Sequence, residues 1–225
     1  MFAARSRVAL GLAAVVLMTG ACGDFDDAAS AQGTASNDLV SELADQLTAS
    51  ETLTYIAGYR LAGGATASVA QDQRPSRAAY AYPGGRVLVS AETVTLCQRA
   101  RCTLTAPDAA PATLFADAEK TGMVVPATVL ALLNAAALSP DVTVKPRDTT
   151  IAGHHATCLE LGGVEHERSR AFATCVTNDG VLGSFTGTLD GKPMDLAMTE
   201  FSSRVAADTF TTPSNATTVD RRPPS

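Results

Sequence analysis

The chain has 225 residues, 46 % of them hydrophobic, enough for one sizeable domain and too apolar for general disorder. Formal net charge is −6, and Lys120, Lys145 and Lys192 are the only lysines among 17 basic residues. No run of basic residues occurs after the N-terminus, which argues against a nucleic-acid partner and against electrostatic attachment to an anionic membrane.

Arg5 and Arg7 form a positive start, followed by the uncharged, largely apolar stretch Val8 to Met18. That stretch is too short for a spanning helix and suits the apolar region of a signal peptide. Thr19-Gly20-Ala21-Cys22 then resembles the lipobox read by lipoprotein signal peptidase, with Thr19 where the pattern prefers Leu. The expectation is a signal peptide over residues 1–21 and lipid on Cys22. Cleavage there removes Arg5 and Arg7 and takes the net charge from −6 to −8. Two acyl chains on one cysteine give stable anchoring, where one gives marginal binding. The cysteine count agrees. Five are present, and lipid on Cys22 leaves Cys97, Cys102, Cys158 and Cys175, which can pair completely. Residues 22–36 are small, polar and acidic after the cysteine and read as a flexible tether with a span of roughly 20 Å.

A domain is expected over 37–212. Leu39, Leu43 and Leu47 recur at helical spacing and predict a helix over Asp38 to Thr48. Leu53 to Leu61, Ala65 to Ala70, Ser76 to Tyr82, Arg86 to Ser90 and Thr93 to Leu96 read as successive antiparallel strands, with turns at Gly63-Gly64 and Pro83-Gly84-Gly85. Cys97 and Cys102 flank a hairpin end. Their spacing lacks the further cysteines or histidines of a zinc site, so a disulfide is expected. Residues 105–112 read as loop and Ala112 to Lys120 as a short helix.

Met123 to Leu138 is the most apolar segment after the signal peptide, with a helix expected from Val125 because Pro126 suits a first turn. Such a helix is either buried in a solid core or lays one face along an apolar cavity. For the second case the lining face is Val129, Leu132, Leu133 and Ala136, spaced i, i+3, i+4, i+7, with the opposite face of Leu130 and Leu138 as the alternative. Further strands are expected at Val142 to Val144, Ala156 to Leu161, Ala171 to Thr177, Val181 to Leu189 and Met194 to Val205. Cys158 and Cys175 lie near the ends of a hairpin with its tip at 162–169, and their disulfide is expected to contribute roughly 3 kcal/mol. The tail, 213–225, reads as frayed and disordered.

Catalytic material is sparse. His154 and His155 are adjacent and would point to opposite faces of a strand, while Glu165-His166-Glu167 reads as a solvated hairpin tip. Ser184 lacks the spacing of a nucleophile elbow, and no phosphate-binding glycine loop or paired carboxylates stand out. The expectation is a non-enzyme without metal or cofactor.

The order of lipobox, acidic tether, helix, antiparallel strands, apolar helical insertion and further strands resembles small actinobacterial lipoproteins of the LolA/LolB-like lipoprotein-localisation superfamily. The mycobacterial LppX and LprG lipid carriers share that architecture. The likeness is carried by Leu53 to Arg60, Arg77 to Arg86 and Gly180 to Phe185. It implies an α+β fold in which a strongly curved antiparallel half-barrel holds helices on its concave side. It also implies a monomer at the extracytoplasmic face of the cell membrane, with a lipid or lipoprotein ligand. Two functions follow: a carrier of lipid or acyl chains in an apolar cavity, or an interaction or sensor lipoprotein with a filled core and a protein partner.

Overall fold

The computed structural model describes residues 24–110, 113–166 and 168–223. Residues 1–21, read as a signal peptide, and Cys22 lie outside the described residues. Twelve strands form one curved, unclosed sheet, and the helices pack on its concave side. In chain order these are α1 (Asp24–Ala49), β1 (Tyr55–Leu61), β2 (Thr66–Gln73), β3 (Ser76–Tyr82), β4 (Gly85–Ser90), β5 (Val94–Gln98) and β6 (Arg101–Thr105). There follow α2 (Ala116–Lys120), α3 (Pro126–Leu138), β7 (Thr143–Ile151), β8 (His154–Gly162), β9 (Ala171–Thr177), β10 (Leu182–Leu189), β11 (Lys192–Ser202) and β12 (Thr217–Asp220). The spatial order is β12-β6-β5-β4-β3-β2-β1-β11-β10-β9-β8-β7. Two antiparallel meanders therefore meet where β1 pairs with β11, and the helical insertion crosses between them.

Alternation along the strands builds the core. Tyr55, Ala57, Tyr59 and Leu61 of β1 point to the concave side, as do Leu159 and Leu161 of β8 and Leu182, Phe185 and Leu189 of β10. They meet Val40, Leu43, Ala44 and Leu47 of α1 and Val129, Leu132, Leu133 and Ala136 of α3 in one apolar cluster. The stripe on α1 is turned from the predicted one: Val40 and Ala44 are inside, and Leu39 is 38 % exposed at the edge. A period of four drifts around a helix, and the i, i+3, i+4, i+7 set keeps to one side. The C-terminal end of α1 is held by the turn after β9, where Gln46 Nε2 donates to the Thr177 carbonyl over 3.0 Å.

Both disulfides form as the hairpins require, Cys97 with Cys102 and Cys158 with Cys175. Each joins residues directly opposite on neighbouring strands. On the convex face, Cys158 and Cys175 pack with Ala156 and Ile151. A second small apolar group there, Ala70, Ala79 and Leu88, is covered by Ile56 and by Val205 and Phe210 of the C-terminal segment. The Arg77 guanidinium lies 4.1 Å from the centre of the Phe210 ring.

Five elements differ from the sequence reading. The first helix starts at Asp24, inside the stretch read as tether. The short helix is confined to Ala116–Lys120. β7 extends to Ile151, well beyond Val144; its TVKPRDTTI text is polar because it is an edge strand, where Lys, Pro and Arg block further pairing. β6 and β12 are strands that composition hides. The tail read as disordered runs to β12, which pairs in parallel with β6, and Thr217 N–H donates to the Ala100 carbonyl over 2.8 Å. Backbone pairing at a sheet edge needs no apolar side chains, so the polar sequence of the tail did not announce it.

Candidate functional site

The residues proposed as cavity lining are found first in the core. Val129, Leu132, Leu133 and Ala136 are 0, 1, 0 and 0 % exposed. A side chain beside an acyl-sized void keeps area that water can touch, and these keep almost none. The face of α3 expected to line a cavity is buried in this structure, in one apolar cluster with residues of α1 and the sheet, and Leu132 also borders a small pocket of about 220 Å³ beside Phe115 and Thr128. The opposite face reaches solvent, with Leu138 85 % exposed.

Open space on the concave side lies at the other end of the sheet. Leu96 and Gln98 of β5 stand opposite Thr103 and Arg101 of β6, one side of a hairpin whose other side carries the Cys97–Cys102 disulfide. The short helix α2 sits over this end. Gln98 Nε2 donates to Asp117 Oδ2, and Lys120 Nζ meets the other Asp117 oxygen at 2.7 Å. The position of α2 is fixed from behind by Arg168, which binds Glu119 at 2.7 Å and Asp190 at 2.8 Å. A groove of about 940 Å³ remains between α2 and the hairpin, lined among others by Tyr82, Leu96, Arg99, Arg101 and Lys120.

Tyr82 is the unusual member. It is 7 % exposed, and its hydroxyl has no hydrogen-bond partner among the described residues. A buried hydroxyl without a partner is costly, about 1–3 kcal/mol by mutational measures. Its ring lies over Gly85, its partner across β3 and β4, so closely that a Cβ on Gly85 would run into the ring. Only glycine leaves room for the ring there. Burial, and then the nearby Asp117 carboxylate, push the Tyr82 phenol above its ordinary pKa. At neutral pH it is a neutral donor. Arg99 sits at the hairpin turn with φ 53°, and its N–H donates to the Gly84 carbonyl over 3.0 Å. That bond ties the β5–β6 tip to the turn beside Tyr82.

The groove carries Arg99, Arg101 and Lys120 against the single carboxylate of Asp117, which Lys120 already pairs. Arg99 and Arg101 make no salt bridge among the described residues and are exposed. On a chain of net charge −6 this is a local reversal of sign. Neither Tyr82 nor this trio was singled out as a site by sequence, because Lys120 joins the arginines only when α2 folds back over β6.

The remaining candidates are dispersed. His154 Nδ1 lies 2.8 Å from Asp179 Oδ2 and edge-on to Phe201 at 4.6 Å, while His155 is exposed. His166 Nδ1 accepts from the Arg168 N–H over 3.1 Å. Ser184 offers its carbonyl to Thr174 Oγ1 in β-sheet surroundings. Among the described residues no group of three or more His, Cys, Asp and Glu is placed to hold a metal. A second groove, about 750 Å³ around Gly58, Ser68 and Glu200, lies beside β1, β2 and β11. Among the described residues no buried polar side chain lining it lacks a partner apart from Tyr82, which borders both grooves.

No family model matches the chain, and no curated protein matches it. Solved structures do. An uncharacterized conserved protein from Thermus thermophilus superposes with a TM-score of 0.50 at 12 % identity, covering 80 % of this chain and 98 % of that one. MucB in complex with MucA(peri) gives 0.46 at 12 % identity, over 80 % of this chain and 62 % of that one. LprF from Mycobacterium bovis gives 0.40 at 13 % identity, over 80 % and 98 %. The Thermus thermophilus protein shares the fold; at these identities the likeness reaches no further than the fold.

Proposed function

We propose that this protein is a lipid-anchored, extracytoplasmic binding lipoprotein of the LolA/LolB-like kind, without catalytic activity, that holds a lipid or acyl-bearing ligand in the groove between α2 and the β5–β6 hairpin. The observation that carries this reading is the buried, unpartnered hydroxyl of Tyr82 at the wall of that groove. Leu96 gives the same groove an apolar wall. Anchoring rests on the lipobox-like Thr19-Gly20-Ala21-Cys22, which makes Cys22 the lipidated residue and the membrane its neighbour.

The test is mass spectrometry of organic extracts from full-length protein purified from membranes, beside a Thr103→Trp variant that fills the groove. A lipid class that accompanies the wild type and is depleted in a variant of equal melting temperature supports the reading. Absence of lipid from both removes the carrier function. The second reading, an interaction lipoprotein with a protein partner, draws on the burial of the α3 face in the core and predicts that outcome.

A further inference from the structure

We infer that the groove recognises a phosphate group, carried by an amphiphile or free, through Arg99, Arg101, Lys120 and the Tyr82 hydroxyl. This rests on the groove being a ligand site, and it goes further by naming what is read there. The four groups come from three elements and share one lining. The guanidinium and ammonium groups donate and accept nothing, so they favour an acceptor-only partner, and the neutral Tyr82 hydroxyl, which has no partner among the described residues, can donate to the same anion. Arginine forks match phosphate oxygens in pairs, which a single ammonium does not. Asp117 offsets the charge of Lys120, with which it pairs, so the net positive charge of the mouth is that of Arg99 and Arg101. Arg99 and Arg101 are left as the free cations of the mouth among the described residues, with Tyr82 buried beneath. A polar mouth above the half-buried Leu96 suits a headgroup whose chains follow the apolar wall.

Full-length protein in a sugar-headgroup detergent is titrated by calorimetry with dihexanoylphosphatidylglycerol, with uncharged dihexanoylglycerol and with inorganic phosphate. The expected result is binding of the phospholipid at least about tenfold tighter than the uncharged glyceride, weakening as salt is raised. The Arg99→Gln/Arg101→Gln double variant loses about tenfold or more with wild-type melting temperature, and Tyr82→Phe loses severalfold while its ligand-free melting temperature stays at or rises above that of the wild type. Displacement of the phospholipid by inorganic phosphate at similar concentration identifies the free anion as a sufficient ligand. Failure of phosphate to compete identifies the lipid headgroup. Equal binding of the two lipids, unaffected by the double variant, overturns phosphate recognition while the lipid-binding reading stands. No binding of any probe overturns both.

Discussion

Cys158 stands directly opposite Cys175 across β8 and β9, and their disulfide lies on the convex face, away from the helices. Its strand neighbours Leu159 and Leu161 point the other way, into the main core. The bond thus ties a part of the sheet that α1 and α3 do not cover. The two bridges close loops of different length, with separations of 17 and 5 residues. Chain entropy then predicts a loss of about 3 kcal/mol for Cys158→Ala/Cys175→Ala and about 2 kcal/mol for Cys97→Ala/Cys102→Ala. Denaturant unfolding of the two double variants measures the difference, and a reversed order rules out loop closure as the main contribution.

Ala136 faces α1 and the sheet with none of its surface exposed. Ala136→Trp should overpack this contact and cost at least about 1–3 kcal/mol. A variant with unchanged melting temperature would mean that the helices part to leave space, and would return the α3 face to consideration as cavity lining.

Gly180 combines two demands. Its φ is 90°, and a Cβ there would stand 2.5 Å from the Gln46 carbonyl oxygen on α1. Gly153 has φ 84° but open space around it. Gly153→Ala is expected to cost about 1 kcal/mol from the backbone alone, and Gly180→Ala clearly more because α1 must also move. Hydrogen exchange should show the added loss of protection in the last turns of α1. Equal cost at the two sites would exclude the contact with α1 as the cause.

All four tyrosines, Tyr55, Tyr59, Tyr80 and Tyr82, are held above the ordinary phenol value of 10.0, with burial as the largest cause in each. In Tyr59 the hydroxyl also donates to the Leu182 carbonyl over 2.9 Å. An acid whose folded pKa is raised contributes stability that is complete below the unfolded pKa and falls as pH rises above it. The unfolded chain loses these protons near pH 10, so stability should decline from there upward. Phenolate absorbance and circular dichroism should change together, since the buried rings ionise on unfolding. Phenolate appearing in an intact fold at pH 10 would show that the rings are open to solvent.

Most of the sheet was legible because its strands advertise themselves. Ser76 to Tyr82 was read with the bounds it has, and the strands around Leu53 to Ala70 and Ala156 to Leu189 alternate or carry β-branched and aromatic residues between glycine turns. β7 and β12 did not, because edge strands are polar by necessity and their pairing resides in the backbone. The cysteine pairs were legible because each closes a local hairpin. The α3 segment showed that it would be buried, and left open what would bury it. An apolar helix face looks the same whether it meets a ligand or another helix.

By itself, the sequence determined the alternation that makes antiparallel strands and the local pairing of the cysteines. It also set the expectation of lipid on Cys22. The tertiary structure alone decided that Val129, Leu132, Leu133 and Ala136 meet α1 and the sheet, and that Lys120 joins Arg99 and Arg101 beside Tyr82. Periodicity fixes which side chains share a face of one element, and it is local. What that face touches depends on how segments far apart in the chain fold back on one another, and neither spacing nor composition encodes that distance.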